Sequence, residues 1–221
     1  MLDNKNRYLQ IAFNYDLSMA LRILSSIPSH PRIFIEAGTP FIKLEGMRGI
    51  NAIRNRWSGF IVADLKTCDG AIGEVQMVRS AGASAATALG NSPKEALNLF
   101  IETCSNLGMV SMIDMLGVED PLTSLRQLRK PPDVVVLHKG RDEESTYGKV
   151  IQYKHVNRIR SKFSCLISAA GGVTVREARS AVFNGANIVV ANLVQPGDPW
   201  AGIKTSDDIE EMVHKFLTTI A

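Results

Sequence analysis

Between Phe60 and Gly73 the sequence reads FIVADLKTCDGAIG, which sets Asp64, Lys66 and Asp69 in the spacing D-x-K-x-x-D. The apolar run Phe60 to Ala63 reads as a strand. If it continues through Asp64 and Lys66, their side chains point to one face. Asp69 then falls in a turn or at the start of the next helix. Two carboxylates and an ammonium at one strand end set each other's proton affinity. That grouping is costly for a fold and useful for proton chemistry. The same spacing also describes a solvated ion pair beside an N-cap aspartate, so the surrounding elements must decide between the two.

Short apolar runs alternate with amphipathic segments along the whole chain. Strands are expected at Tyr8 to Phe13, Ile33 to Ile35, the Phe60 run, Ser84 to Leu89, Met109 to Leu116, Val134 to His138, Leu166 to Ala170 and Ile188 to Val194. Helices are expected over Leu17 to Ile27, Gly46 to Arg56, the segment ending near Ser80, Pro93 to Asn106 with Ser92 as N-cap, Leu122 to Leu128, Val175 to Phe183 and Asp207 to Thr219. Gly140 to Lys154 is polar and reads as a long loop. Eight apolar strands, each followed by a helix, predict a parallel sheet closed into a (β/α)8 barrel, α/β in class. Near-continuous apolar strands suit burial on both faces. No linker or change of composition divides residues 1–221, which predicts a single domain.

In such a barrel the chemistry sits at the C-terminal strand ends. Those positions carry Asn14, Glu36, Asp64 and Lys66, Asp114, His138 and Arg141, Gly171-Gly172, and Asn192, in chain order. So many ionisable groups at one barrel end favour a functional site over a solvated face. Glu36 and Asp64 leave adjacent strands and could share a hard divalent cation such as Mg2+; the plainer alternative pairs Glu36 with Lys43 or Lys66. His138 suits acid/base work. His30, His155 and His214 read as surface or loop residues. The glycine pair would let backbone N–H groups approach an anion, where this barrel commonly holds phosphate.

The 221 residues are 45% hydrophobic with a net charge of +3, enough for a full core and too little clustered charge for a nucleic-acid groove. Cys68, Cys104 and Cys165 form no disulfide framework, apolar runs are too short to cross a bilayer, and the first ten residues lack a signal-peptide core. A soluble, cytoplasmic protein is expected, with partners other than nucleic acid or membrane.

The segments IEAGTPFIKLEG (35–46), ADLKTCDGAIGE (63–74), MIDMLGVEDP (112–121), VLHKGRDEE (136–144) and SAAGGV (168–173) resemble the orotidine 5′-monophosphate decarboxylase superfamily. Within it the chain resembles the branch of 3-hexulose-6-phosphate synthase and 3-keto-L-gulonate-6-phosphate decarboxylase. Glu36 stands where orotidylate decarboxylases carry lysine, which suits the Mg2+-dependent branch. The resemblance implies Glu36 and Asp64 as Mg2+ ligands and Lys66 as the group that neutralises an enediolate. It implies His138 as the acid/base, Asp114 on substrate hydroxyls, Gly171 and Gly172 on phosphate, and Asp69 reaching into the partner's site of a homodimer. Gly82 to Gly90 and the apolar patch near Met109 to Met115 are the candidate segments for that dimer contact, with membership of the core as the alternative.

Ala170 and the Ile-Asp-Met run around Asp114 resemble the synthases, and H-x-x-R, ending in Arg141, resembles the decarboxylases. The synthase reading follows: ribulose 5-phosphate and formaldehyde joined to D-arabino-3-hexulose 6-phosphate, or the reverse. Decarboxylation of a sugar acid phosphate, or a non-catalytic ligand-binding relative, is the alternative. Asn14 replaces the family's usual aspartate, and Asn192 its phosphate-clamping arginine. Loss of that bidentate contact is expected to weaken phosphate binding by roughly 1.5–3 kcal/mol unless Arg141 or Lys139 folds inward.

Overall fold

The computed structural model describes residues 2–145 and 150–221. In chain order the elements are β1 (Tyr8–Phe13), α1 (Leu17–Leu24), β2 (Ile33–Ala37), α2 (Thr39–Arg54), β3 (Phe60–Thr67), α3 (Ala71–Ser80), β4 (Ala85–Leu89), α4 (Lys94–Asn106) and β5 (Val110–Asp114). Then follow α5 (Pro121–Arg126), β6 (Val134–His138), α6 (Arg141–Glu144), α7 (Lys154–Arg160), β7 (Leu166–Ala170), α8 (Val175–Phe183), β8 (Ile188–Val194), β9 (Ile203–Lys204) and α9 (Ile209–Thr219). Strands β1 to β8 are parallel, each beside the next, and β8 pairs back onto β1. The chain is a (β/α)8 barrel, and β9 is a two-residue strand added beside the end of β8.

Following paired residues from Gln10 once around the ring ends eight positions away, the stagger that closes this kind of barrel. Inward side chains therefore stack in layers of four drawn from alternate strands. At the N-terminal end Tyr8, Phe34 and Phe60 stack on one another, ring centroids 4.7 and 4.4 Å apart. Above them lies a layer of Gln10, Val62, Met112 and Ser168, then one of Glu36, Thr87, Val136 and Val190, then one of Ala12, Asp64, Asp114 and Ala170. The interior thus turns from apolar to ionisable along the barrel axis. A second apolar layer, between strands and helices, is built from residues such as Ile11, Ile35, Phe41, Ile61, Phe100, Ile113 and Phe216.

Several expectations from sequence need correction. Helix α2 starts at Thr39, not Gly46; Pro40 is tolerated in its first turn, and Gly46 is a kink inside it with φ +57°. The N-cap of α4 is Pro93, and the Ser92 hydroxyl donates to the Thr67 carbonyl instead. The polar stretch after Gly140 includes α6 and the first residue of α7; its residues 146–149 lie outside the described ones. His155 is buried in α7, not at the surface. Of the two readings of Gly82 to Gly90 and Met109 to Met115, the burial of most of their residues in and beside β4 and β5 favours the core. Among the described residues no helix is long and apolar enough to cross a membrane.

At several positions the space around the backbone admits only glycine, Gly171 among them. At Gly171 φ is +99°, and a Cβ there would lie 1.9 Å from the Lys139 carbonyl oxygen. Gly171→Ala is expected to destabilise the fold by about 2–4 kcal/mol, read as a lower urea midpoint at unchanged slope.

Candidate active site

A cavity of about 480 Å3 opens at the C-terminal end of the barrel. Its walls include Asn14, Glu36, Asp64, Lys66, Asp114, His138, Arg141, Gly171 and Asn192. Nine of the positions expected from sequence thus converge on one space. Gly172 (φ +65°) is not part of the wall, and Asp69 is exposed in the turn between β3 and α3, outside the cavity of its own chain.

The centre of the site is an ion network. Lys66 Nζ donates to both Asp64 oxygens, at 2.9 and 2.8 Å, and to Asp114 Oδ2 at 2.9 Å. Strand β3 brings Lys66 there through an irregularity: its register shifts between Ala63 and Thr67, and Lys66 has φ +52°, the left-handed region. Its backbone N–H is caught by the Thr87 hydroxyl at 3.0 Å. A β-bulge that re-aims a side chain beside a site is a recurring device, and left-handed backbone outside glycine persists only when neighbours hold it. Asp64 is fixed further by hydroxyl donors, Thr39 on Oδ2 and Thr87 on Oδ1, both at 2.7 Å.

Asp114 Oδ2 also meets His138 Nδ1 at 2.8 Å, while its Oδ1 accepts from the Leu116 N–H at 3.0 Å. Burial alone would push the Asp114 carboxyl up, but His138 and Lys66 outweigh it and hold the group below the usual carboxylate range. As a carboxylate it can only accept, so His138 carries its proton on Nδ1 and leaves Nε2 for the cavity. Burial pulls the His138 imidazole down, yet Asp114 more than reverses this, and its pKa lies above the ordinary 6.5. For Lys66 the same balance is struck: burial opposes the charge, Asp64 and Asp114 overcome it, and the ammonium is firmly charged. Asp114 is 2% exposed and has both oxygens engaged, so it orients Lys66 and His138.

Glu36 differs from its neighbours. The Gln10 amide donates to its Oε2, and it forms no ion pair with Lys43 or Lys66. Burial, with the Asp64 charge adding to it, pushes its carboxyl up to about 7. Among the described residues no group of three or more His, Cys, Asp or Glu side chains is arranged as a metal cluster. Mg2+ asks for less: one or two carboxylates, with water and substrate oxygens completing its octahedron. Glu36 and Asp64 line one cavity, and the raised Glu36 pKa marks a carboxylate short of positive charge. The residues fit the ion.

Around the mouth, Asn14 Nδ2 donates to Asn192 Oδ1 at 3.2 Å, joining the ends of β1 and β8. Lys43, Lys139 and Arg141 line the same opening. The Arg141 guanidinium lies 4.3 Å from the Trp200 ring centroid, a cation–π contact that folds it over the cavity. The segment carrying Trp200 is anchored where Tyr15 donates to Asp198 and the Gln195 N–H meets both. Gln10, Thr39, Thr87 and Trp200 escaped the reading of the sequence. Gln10 alone left a signal, as a polar residue at an inward position of an apolar strand.

The barrel carries a carboxylate–lysine–carboxylate–histidine network at the C-terminal end of its strands, where enzymes of this fold do their chemistry, and comparison with known proteins gives its family. The model of the orotidine 5′-phosphate decarboxylase / HUMPS family matches residues 7–192, and the chain belongs to that family. The bifunctional enzyme Fae/Hps of Methanothrix thermoacetophila is 35% identical over 215 residues, 96% of this chain and 52% of that protein. The chain thus spans about half the length of the curated relatives it matches. Among solved structures, 3-hexulose-6-phosphate synthase from Salmonella typhimurium superposes with a TM-score of 0.85 at 24% identity, covering 96% of this chain and 98% of that one. 3-Keto-L-gulonate-6-phosphate decarboxylase from Vibrio cholerae gives 0.74 at 19%, covering 97% of each. These two share the fold.

Proposed function

We propose that the chain is an Mg2+-dependent aldolase of the 3-hexulose-6-phosphate synthase type, joining formaldehyde to ribulose 5-phosphate or running the reverse cleavage. The observation that carries this reading is the Lys66 ammonium clasped between Asp64 and Asp114, with His138 turned toward the same cavity by Asp114. The Fae/Hps relatives support it. Glu36 and Asp64 would hold Mg2+, which supplies Lewis-acid stabilisation of negative charge on substrate oxygen.

The residues of the chain divide the remaining work. His138 Nε2 takes a proton from the carbon beside the substrate carbonyl. The electron pair left behind forms the new bond to the formaldehyde carbon. The alkoxide that results collects a proton, and cleavage runs these steps backward. Lys66 is fixed beforehand where negative charge develops, so no reorganisation is needed at the moment of reaction. Arg141, Lys139 and the backbone around Gly171 and Gly172 would hold the phosphate in place of the arginine that Asn192 replaces. Asn14 and Asn192 offer neutral contacts to hydroxyls.

Arg141 over the cavity favours a second reading, decarboxylation of a sugar acid phosphate, in which its guanidinium assists protonation of the same kind of intermediate. We also propose a homodimer, docked through the face of α2 and α3. Leu44, Ile72 and Met77 are exposed there, and a groove between these helices runs past Met47 to Gly70, beside Asp69. Asp69 would enter the partner's cavity. The exposed Cys68 and the buried, unpaired Cys104 and Cys165 suit a reducing, cytoplasmic setting.

The deciding experiment is a coupled assay of formaldehyde-dependent loss of ribulose 5-phosphate. EDTA should abolish the activity, added Mg2+ should restore it, and Asp64→Asn should lack it. Because Glu36 takes up a proton near pH 7, Mg2+ affinity should fall as the pH drops through that value. Release of CO2 from a sugar acid phosphate, with no aldol activity, would overturn the reading in favour of the decarboxylase.

A further inference from the structure

Gln10 is 3% exposed on β1, with its amide Nε2 donating to Glu36 Oε2. When Glu36 is ionised it only accepts, which sets the amide with Nε2 toward it and Oε1 facing elsewhere. That oxygen is buried and has no hydrogen-bond partner among the described residues. The hydroxyl of Ser168 on β7 is also fully buried and unpartnered among them. The barrel stagger sets both in one layer, whose other members are Val62 and Met112. One layer directly beneath the ionisable groups therefore holds a carbonyl that needs a donor and a hydroxyl that carries one. Buried polar atoms are nearly always satisfied, by protein or by trapped water.

We propose that one trapped water bridges Ser168 Oγ and Gln10 Oε1, and that this relay locks the Gln10 amide on Glu36, making both residues positioning residues for the Glu36 carboxylate. Ligand carboxylates are commonly oriented by a second set of hydrogen bonds, and losing one typically costs tenfold to a hundredfold in metal affinity. Ser168 supplies the hydroxyl of the same barrel layer that can give the buried Oε1 its donor. The part concerning metal affinity rests on Glu36 being a metal ligand; the water bridge does not.

The test is Mn2+ binding to the purified, substrate-free protein, followed by electron paramagnetic resonance, with thermal melts beside it. Gln10→Met, which keeps length and removes the amide, should weaken Mn2+ binding by about tenfold to a hundredfold. Ser168→Ala should weaken it by a smaller factor, and Ser168→Thr should restore it. The double variant should be no worse than Gln10→Met, because the serine acts only through the glutamine. Losses that multiply in the double variant, or a lowered melting temperature with wild-type Mn2+ affinity, would overturn the relay. A high-resolution crystal structure should show a water bonded to both oxygens, and a dry gap there would sink the bridge. If the wild type binds no Mn2+ while the water is present, the relay stands and the metal reading falls.

Discussion

Lys66→Met is expected to lower kcat/KM for the aldol reaction by at least about 10²–10³-fold, the usual loss on removing one fixed stabiliser of developing charge. The loss should fall on kcat rather than on KM. Lys66 is spent on Asp64 and Asp114 in the resting protein, so its contact with substrate matters once negative charge has formed. The variant also leaves two buried carboxylates short of a cation. Asp114 retains His138, but Asp64 keeps only the hydroxyls of Thr39 and Thr87. Breaking a buried pair by removing one partner costs about 3–5 kcal/mol, so the melting temperature should drop by several degrees. Mg2+ should recover part of that stability, since Asp64 would be relieved by the ion, and the recovery is measurable as a larger ligand-induced shift than in wild type.

Lys66→Arg separates charge from geometry. A guanidinium is a planar fork, whereas Nζ here makes three contacts from a single point at the end of a left-handed residue. The arginine variant should regain stability and little of the rate. A variant with arginine that turned over at the wild-type rate would show that bulk positive charge suffices, and the fixed placement of Lys66 would lose its assigned importance.

The parts of this molecule that were legible in its sequence are those where one force dominates. Strands β1, β6, β7 and β8 match their expected bounds, because burial on both faces leaves continuous apolar runs bounded by polar residues. Strand-end charges were legible for the converse reason, since a charge next to such a run has few structural uses. Boundaries set by competing local effects were not. Gly46 looks like a helix start and is a kink, because the packing of Phe41 and Ile50 carries α2 through it. His155 sits among Lys154 and Arg158, and its burial comes from the helical face it shares with Val156 and Ile159. The small residues of β4 serve the core, Ala85 and Thr87 inside the barrel and Ala86 and Ala88 between strands and helices. Thr39 and Thr87 could not be found at all, since a threonine near a strand or helix start has many ordinary reasons to be there.

His138→Asn carries the other large expected effect, a fall in kcat of about 10²–10⁴-fold at neutral pH, the range for loss of a positioned general base. Its signature is the pH profile. As a base His138 must be neutral, and Asp114 has moved its pKa above the ordinary 6.5 despite burial. The wild-type rate at saturating Mg2+ should therefore climb through a pH above 6.5, and the variant should lack that limb. Saturating metal matters because Glu36, titrating near 7, would otherwise add a limb of its own through metal affinity. Stability gives an independent check of sign. A group whose pKa is raised on folding stabilises fully below its unfolded value and loses that contribution as the pH rises through its folded one. The stability gap between wild type and His138→Asn should thus be widest below pH 6.5 and close in alkaline solution, as urea unfolding at both ends would measure. A variant that kept the limb would move the proton transfer to another group. Lys66 is the poorest candidate, because the same two aspartates that orient it keep it charged.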